Sequence, residues 1–503
     1  MQTASTQTDS APPGPAPTAA LSTHDKALRI NIDATRYGTF AEIGAGQEVA
    51  RWFFHVGGAA ATVAKTISAY DMAVSDAVYG PTPRYVSRQR LQSMLDHEWS
   101  LLLERLEKAR GPSTKFFVFA DTVAARSYRH AEEGHGWLGI RFQPEMRSPP
   151  CQIIIHARMW DPDNARQQEA LGILGVNLIH AAFYYHDRPG TLIGSLLDGL
   201  TRDRMEVDMI KFSGQGFAGV DNRLMSLQLV QQRLTNAALF APDGEVVEPA
   251  ELLHGMPVLI ERGSFRPITT VTLDMLEQSM ALMRTEPPVG GVDGRDRPEA
   301  GPREPDRREP VVLLEMTLRN LMSLDERVDH ADFLARMDTL RVLGRTVMIS
   351  NYSRFHNVTT YLRRYTRDRI GMVLGVPTLS QIFEEKHYED LEGGILEALG
   401  RLLSGPVRLY IYPVVGPDGS HVVTAATFRP GPQLSSLYAY LRDNRRVVSI
   451  TPGTGFDPAI LPRNVITLIR AGDPSWERHV PVEVARIIKE RGLFGLGMSA
   501  APA

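Results

Sequence analysis

VVLLEMTL, residues Val311–Leu318, opens a series of apolar runs that continues with TVMISNY (Thr346–Tyr352), IGMVLG (Ile370–Gly375) and VRLYIYPVV (Val407–Val415). Segments with the apolar spacing of a helix lie between these runs. Apolar strands that alternate with helices are typical of parallel sheets buried on both faces. The sequence therefore predicts an α/β fold with largely parallel sheets. It leaves a doubly wound sheet and a barrel-like closure both open.

The same alternation extends toward the N-terminus as far as Lys115, with strand-like runs such as FFVFADTVAAR and QIIIHARMW. Before Lys115 the apolar residues recur at helical spacing along Gln47–Ala73 and Val86–Ala109, which predicts a mostly helical region. Two segments rich in proline and low in apolar residues predict disorder. The predicted organisation is a disordered tail (1–27), a helical N-terminal region (28–110), a first α/β domain (111–285), a disordered linker or insertion (286–310), a second α/β domain (311–490) and a flexible C-terminus (491–503).

Composition excludes several classes of protein. The chain has 503 residues and a net charge of −3, so no global basic field favours nucleic acid or a membrane surface. Its one cysteine, Cys151, permits no internal disulfide and is expected to be structural. The first residues show neither the basic nor the apolar segment of an export signal, which predicts a cytoplasmic protein. No motif identifies a cofactor or a metal.

The glycine-rich stretch Tyr37–Asp71 is a candidate phosphate-binding element. Gly44 and Gly46 stand just before a predicted helix, where backbone N–H groups and the helix dipole favour an anion. Lys65 follows as a candidate counter-charge. The alternative is a turn that needs glycine only for its backbone geometry.

Two further turns follow predicted strands and contain residues suited to anions. The first comprises Lys211, Asp221, Asn222 and Arg223, where the alternative is a simple helix cap. The second comprises Arg262, Ser264 and Arg266, where the alternative is a pair of surface ion pairs. Ligands of parallel α/β proteins bind at the carboxyl ends of strands, so both turns are candidate ligand-binding sites.

Three residues form the candidate catalytic group. His130 and His135 lie in a predicted loop, and Asp121 ends a predicted strand, so together they would form an acid–base cluster. Loop histidines are more often simply solvated, which is the alternative.

Several segments resemble one family of large uncharacterised bacterial cytosolic proteins, namely Tyr37–Asp71, Met94–Leu106, Glu206–Gly214, Val220–Val230, Leu259–Phe265 and Asp390–Leu403. Members of this family often carry the label nicotinate-nucleotide adenylyltransferase or TonB-dependent receptor. An outer-membrane receptor needs an export signal and many strands with alternating apolar and polar residues, and this sequence predicts neither.

The adenylyltransferase label implies a Gly-Thr-Phe turn followed by His-x-Gly-His. Gly38-Thr39-Phe40 is similar to that turn, but Ala45 and Gln47 stand where the imidazoles are expected. The second signature of these enzymes, an Ile-Ser-Ser-Thr stretch with a following arginine, has a partial counterpart in Ile349–Arg354. The missing imidazoles predict that adenylyl transfer is absent or very slow.

The sequence thus predicts a cytoplasmic α/β protein that binds a phosphorylated, nucleotide-like small molecule. It would be an enzyme of nucleotide or phosphate-ester metabolism. The alternative is a non-catalytic ligand-sensing or scaffold protein that forms a homo-oligomer, and a nucleotidyltransferase is a further alternative.

Overall fold

The computed structural model describes residues 21–126, 134–286, 308–322, 327–416, 421–453 and 462–497. The contacts within the chain divide it into two compact units. The first consists of Met1–Pro150 and Met159–Met205, and the second consists of Cys151–Arg158 and Glu206–Ala503.

The elements up to residue 195 are, in chain order, α1 (Thr23–Asn31), β1 (Arg36–Gly44), α2 (Glu48–His55), β2 (Val63–Ser68), α3 (Met72–Tyr79), α4 (Arg88–Arg110), β3 (Lys115–Ala124), β4 (Gly134–Phe142), β5 (Cys151–Met159), α5 (Asn164–Tyr184) and α6 (Pro189–Ser195). Those that follow are β6 (Met205–Gly214), α7 (Asn222–Gln231), β7 (Ala237–Phe240), β8 (Val246–Val247), α8 (Pro249–Leu253), β9 (Val258–Arg262), α9 (Thr270–Thr285), β10 (Val311–Thr317), α10 (Leu318–Leu321), α11 (His330–Val342), β11 (Thr346–Ser350), α12 (Phe355–Leu362), β12 (Ile370–Gly375), α13 (Val376–Ile382), α14 (Gly394–Leu402), β13 (Val407–Tyr412), β14 (Val414–Val415), β15 (Val422–Val423), α15 (Ser435–Asp443), β16 (Val447–Ser449), α16 (Pro462–Ala471) and α17 (Val482–Arg491).

The first unit is built on strands in the order β2-β1-β3-β4. β1 is parallel to both β2 and β3, and β3 is antiparallel to β4. Helix α5 packs against α1, α2 and β4, and its middle turns are buried almost completely. Aromatic rings of Phe40, Phe53 and Phe117 meet at centroid distances of 4.9 and 5.6 Å, which gives this core edge-on and tilted ring contacts.

Two parts of the N-terminal region differ from the sequence-based prediction. Residues 23–27, predicted as tail, begin α1, because Ser22 caps the helix and Lys26 bonds to the side chains of Asn177 and Asp198. The second half of the helical pattern at Gln47–Ala73 is the edge strand β2, since Gly57 and Gly58 end the helix with positive φ and the chain then pairs with β1. The region remains mostly helical otherwise.

The second unit contains an eight-stranded sheet in the order β16-β13-β12-β9-β10-β11-β7-β8. All neighbours from β16 to β11 are parallel, and β7 and β8 add two antiparallel strands at one edge. Numbered by chain order, the six parallel strands lie as 3-2-1-4-5-6, which is the order of doubly wound nucleotide-binding folds. The predicted α/β class with parallel sheets is confirmed, and the sheet is open and doubly wound.

The core of the second unit follows from the apolar runs. Ile260, Leu313 and Met372 project from neighbouring strands and belong to one buried cluster. The same cluster contains Val358 of α12 and Leu399 of α14, so these helices cover one face of the sheet. Burying such side chains contributes about 1.5–3 kcal/mol each.

Several predicted boundaries fall outside the residues that the structure describes. Residues 1–20 of the predicted tail and residues 287–307 of the predicted linker lie outside the described residues. Glu286, placed in that linker by the sequence, is buried and bonds to Arg408 and Arg445. The limits of the two predicted α/β domains stay a prediction. In the described residues no helix combines the length and apolar character needed to cross a bilayer.

Candidate functional site

The predicted phosphate-binding turn between β1 and α2 already holds a carboxyl group of the protein itself. The carboxyl oxygens of Glu42 accept hydrogen bonds from the backbone N–H groups of Val49 and Ala50, at 2.9 and 3.2 Å. These groups belong to the first turn of α2, where an anion is favoured by the unpaired N–H groups and the helix dipole. The side chain of Glu42 therefore occupies the place that the sequence assigned to a ligand phosphate.

Asp121 lies directly beside Glu42, because the two residues are partners in the parallel pairing of β3 and β1. Asp121 is completely buried, and neither of its carboxyl oxygens has a hydrogen-bond partner of ordinary geometry. Burial, and then the neighbouring Glu42, raises the pKa of Asp121 well above its usual range. Burial likewise raises the pKa of Glu42 to about 8, against the two backbone bonds that lower it. The pair is thus a protonated, buried structural group at neutral pH.

The glycines of this turn serve close packing. A Cβ at Gly46 would lie 1.9 Å from Oδ1 of Asp121, and a Cβ at Gly44 would lie 2.2 Å from the carbonyl oxygen of Val123. Gly44 also has a positive φ of 77°. Lys65 is on β2, where it forms a salt bridge of 2.5 Å with the buried carboxylate of Glu98. Gly44 and Gly46 are therefore needed for close packing, and Lys65 is paired with a carboxylate of the protein itself.

The candidate catalytic residues are not brought together. His130 lies outside the described residues. His135 is in β4 opposite Ala124, whereas Asp121 is opposite Leu138. The three-residue separation along each strand directs His135 and Asp121 to opposite faces of the sheet, because side chains alternate. A catalytic role for these residues stays a prediction without geometric support.

The turn after β6 is held by its own polar side chains. The amide of Asn222 donates to the carbonyl of Phe212 and accepts from its N–H, at 3.0 and 2.7 Å. Asp221 caps α7, and Arg223 bonds to Asp221 and to Asp338. Lys211 forms an ion pair with Glu245. Asp221 thus has the capping role that the sequence offered as the alternative, whereas Asn222, Arg223 and Lys211 bond to other parts of the protein.

Arg262 and Arg266 diverge after β9. Arg262 forms a two-fold hydrogen bond with the fully buried Glu315, at 2.8 and 2.9 Å, and its guanidinium lies 4.4 Å from the ring of Phe355. Arg266 bonds to Asp332 at 2.5 Å. The backbone oxygen of Ser264 accepts a hydrogen bond from Arg336. Of these three candidates, Arg262 borders a large cavity in the described part of the chain.

That cavity is a crevice of about 660 Å³ at the carboxyl ends of the parallel strands. It is bordered by Arg262 at the end of β9, Thr317 at the end of β10, Asn351 just after β11 and Thr378 in the helix after β12. β9 and β12 are neighbours in the sheet. The strand that follows β9 in the chain lies toward one edge of the sheet, and the strand that follows β12 lies toward the other edge. Ligands of open α/β sheets bind outside such a switch point, and the volume suits a small molecule.

Among the charged residues that line the crevice, cations are in excess. Three cationic side chains border it, and Glu384 supplies the carboxylate among the described lining residues; the cations are Arg262, Arg319 and Lys386. Lys386 and His387 both contact Glu384, at 2.6 and 3.2 Å, and the hydrogen bond from Lys386 is the main cause that lowers the pKa of Glu384. Arg319 is exposed and forms no ion pair within the part of the chain that the structure describes. The excess of positive charge suits an anionic ligand.

The first turn of the doubly wound sheet differs from a dinucleotide-binding turn. It runs from Gly263 to Pro267 and contains one glycine. A dinucleotide fold carries three glycines here, which let the backbone approach a pyrophosphate. Phe265 instead fills the turn, with 3% of its surface exposed. The crevice therefore suits a ligand with a single phosphate group better than a dinucleotide.

A second polar cluster has the donor set of a metal site. His156, Asp208 and Glu248 are buried, and their candidate ligand atoms lie within 4.8 Å of one another. Arg158 bonds to both carboxylates, and His156 Nδ1 lies 2.6 Å from Asp208. Burial alone would raise the pKa of Asp208, but His156 and Arg158 hold it below its usual value. The guanidinium of Arg158 supplies the positive charge there, so the cluster is a buried ion-pair network.

Sequence reasoning missed Arg319, Asn351, Thr378 and Lys386. Arg319 and Thr378 follow predicted strands and Asn351 lies near the end of one, so the rule that placed Arg262 at a strand end could have found these three. Lys386 lies farther along the chain and had no local signal. The partial adenylyltransferase signature at Ile349–Arg354 falls at this crevice, while Gly38-Thr39-Phe40 lies in the first unit.

No family model matches the chain, and no curated protein matches it. Solved structures of several competence/damage-inducible proteins are similar to about a third of it. CihA from Agrobacterium tumefaciens is 18% identical, with 33% of this chain and 98% of that chain covered and a TM-score of 0.24. A CinA superfamily protein from Klebsiella pneumoniae is 18% identical over 32% and 96%, with a TM-score of 0.24. A protein from Enterobacter asburiae is 13% identical over 32% and 96%, also with a TM-score of 0.24. Likenesses of this size carry no argument about function.

Proposed function

We propose that the protein binds a phosphorylated small molecule in the crevice of the second unit. One observation carries the proposal: the crevice lies at the switch point of a doubly wound sheet and is bordered by Arg319, whose charge has no acidic partner among the described residues. Arginine matches phosphate geometry through paired N–H donors. The nucleotide-like ligand expected from the sequence is one member of this class.

Arg262 has a different part in this site. Its Nε and one terminal nitrogen bond to Glu315, and the other terminal nitrogen lies 3.3 Å from the carbonyl oxygen of Ser353. An arginine has five N–H donors, so two remain for a ligand. Its charge, however, is balanced by Glu315. Arg262 would therefore orient a ligand, as would Lys386, whose charge is balanced by Glu384, while Arg319 neutralises the ligand.

The lining also bears on whether the protein is an enzyme. His387 Nε2 lies 3.2 Å from the carboxylate of Glu384, and both residues border the crevice. A histidine oriented by a carboxylate can transfer protons at neutral pH, which favours an enzyme of nucleotide or phosphate-ester metabolism. A non-catalytic ligand-sensing or scaffold protein is the alternative, and it would bind the same ligand without turnover.

The test is the replacement Arg319→Ala. Loss of a charge-assisted hydrogen bond costs about 1.5–3 kcal/mol, so affinity for a phosphorylated ligand should fall roughly ten- to a hundredfold. Calorimetric titration of the purified full chain with AMP, ribose 5-phosphate and inorganic phosphate would measure this change.

Arg470→Ala is the matched control, because Arg470 is an exposed arginine of the same unit outside the crevice. Its replacement should leave the affinity unchanged. Arg262→Ala is a poorer test, since it would leave Glu315 buried without its partner and lower stability. The proposal fails if none of the three phosphates binds, or if binding is the same with and without Arg319.

A further inference from the structure

The side chains around the crevice offer hydrogen-bonding groups to a neutral, polar ligand. Asn351, Ser353, Thr378 and Gln381 all border the crevice, and each is exposed or half-buried. Within the described residues the side-chain amides and hydroxyls of these four have no protein partner. They comprise two amides and two hydroxyls, which can donate to and accept from ligand hydroxyl groups. Asn351 and Ser353 follow β11, whereas Thr378 and Gln381 belong to α13 after β12. The four residues therefore lie on both sides of the switch point.

The Phe355 and Tyr352 rings of the lining are poorly placed to stack on a base, and the exposed imidazole of His387 is held by Glu384, 3.2 Å from its Nε2. The ring of Phe355 is covered by the guanidinium of Arg262, 4.4 Å from its centroid. Tyr352 is packed against Tyr361, with ring centroids 5.6 Å apart, and is mostly buried. A nucleobase is usually bound through an aromatic or apolar face. Among the described lining residues, Leu318 is the aliphatic side chain left to provide one.

From these two observations we infer that the ligand of the crevice is a sugar phosphate and not a nucleotide. The inference rests on the proposed function, because it needs the phosphate to be held by Arg319. The sugar hydroxyls then bond to the amides and hydroxyls of Asn351, Ser353, Thr378 and Gln381. Ligand hydroxyls would replace water on the exposed groups of Asn351, Ser353 and Gln381, and a ligand without hydroxyls would leave the half-buried hydroxyl of Thr378 unpaired.

The experiment compares four probes by calorimetry on the full chain: glucose 6-phosphate, ribose 5-phosphate, AMP and inorganic phosphate. At least one of the sugar phosphates should bind about tenfold or more tightly than AMP and inorganic phosphate, which is the effect of one or two added hydrogen bonds. Gln381→Ala and Asn351→Ala should each weaken the sugar phosphate roughly three- to tenfold and leave inorganic phosphate unchanged.

Ser380→Ala is the matched control, because Ser380 lies on the same helix as Gln381, is exposed and does not border the crevice. It should change neither affinity. If AMP binds more tightly than both sugar phosphates and depends on Arg319, the sugar-phosphate inference is overturned and the proposed function stands. If Gln381→Ala and Asn351→Ala leave sugar-phosphate affinity unchanged, the inference is also overturned. If no probe binds, the proposed function fails and the inference fails with it.

Discussion

A single pair of carboxyl groups shows how residue-level chemistry decides between a ligand site and a structural one. Glu42 and Asp121 are neighbours across two parallel strands, and both are buried. Burial and mutual repulsion keep protons on them at pH values where exposed carboxyls are ionised. Gly46 is needed beside Asp121 because no side chain fits there. The glycine-rich signal in the sequence therefore reports packing around a buried acid.

This pair predicts how stability depends on pH. Burial raises the folded-state pKa of Glu42 to about 8, while the same carboxyl ionises near pH 4 in the unfolded chain. Between these values the folded state holds protons that the unfolded state releases, so the free energy of unfolding falls as pH rises from about 4 to 8. Glu48 adds to the rise of the Glu42 pKa as a second negative neighbour.

Asp121→Asn should remove the share of this dependence that comes from Asp121, because burial and Glu42 raise the folded-state pKa of that carboxyl and the amide does not titrate. The variant should therefore be more stable than the wild type at pH 8, where the unfolded wild-type chain releases the Asp121 proton, and the Glu42 share should remain. At pH 4 the two should be similar. Urea unfolding at both pH values measures the difference. A variant that is less stable at pH 8 would show that the Asp121 carboxylate is ionised and paired in the native protein.

At the scale of elements, apolar patterning predicted most strands and helices. Buried side chains recur along the sequence with one spacing in helices and another in strands, so the pattern distinguishes the two. The runs near Lys115, Glu206 and Val311 are strands, and the predicted helices at Asn164 and His330 are present. β2 was missed because its apolar residues are few and fit a helical spacing equally well. A strand at the sheet edge is half exposed, so it lacks the continuous apolar run that marks its buried neighbours.

The turn after β6 yields an element-scale prediction. Asn222 joins the start of α7 to β6 through two hydrogen bonds with Phe212. Asn222→Ala leaves both backbone groups of Phe212 without these partners and should destabilise the protein by about 1–3 kcal/mol. Gln228→Ala, on the same helix, removes only an exposed bond to Gln232 and should cost less than about 0.5 kcal/mol. Denaturant midpoints of the two variants measure this, and equal midpoints would contradict the role given to Asn222.

At the scale of the whole molecule, strand order was beyond the reach of the sequence. Alternation of strands and helices predicts parallel pairing but does not say which strands are neighbours. β9 lies between β12 and β10, although more than a hundred residues separate β9 from β12 in sequence. That placement creates the crevice, and it brings together side chains that local motifs could not connect. The sequence therefore located Arg262 at a strand end but could not group it with Arg319, Thr378 and Lys386.

The same scale bears on the adenylyltransferase hypothesis, which stays a prediction. The Gly38-Thr39-Phe40 segment lies inside β1, paired in register with Phe117–Phe119, and Thr39 and Phe40 are buried. It therefore forms no turn that could contact ATP. The other partial signature, Ile349–Arg354, belongs to the second unit. Ala45 and Gln47 provide no imidazole for the triphosphate, and the first helix turn nearby is occupied by Glu42.

We therefore expect no adenylyl transfer from ATP to nicotinate mononucleotide or nicotinamide mononucleotide. Without cations placed on the triphosphate, the charge that develops in phosphoryl-transfer transition states has no stabilising partner at β1. Pyrophosphate release, measured with and without each mononucleotide and with magnesium present, tests this. An active nucleotidyltransferase assayed in parallel shows that the conditions support the reaction. Release that depends on the mononucleotide and disappears in Arg319→Ala would place adenylyl transfer at the crevice and overturn the prediction.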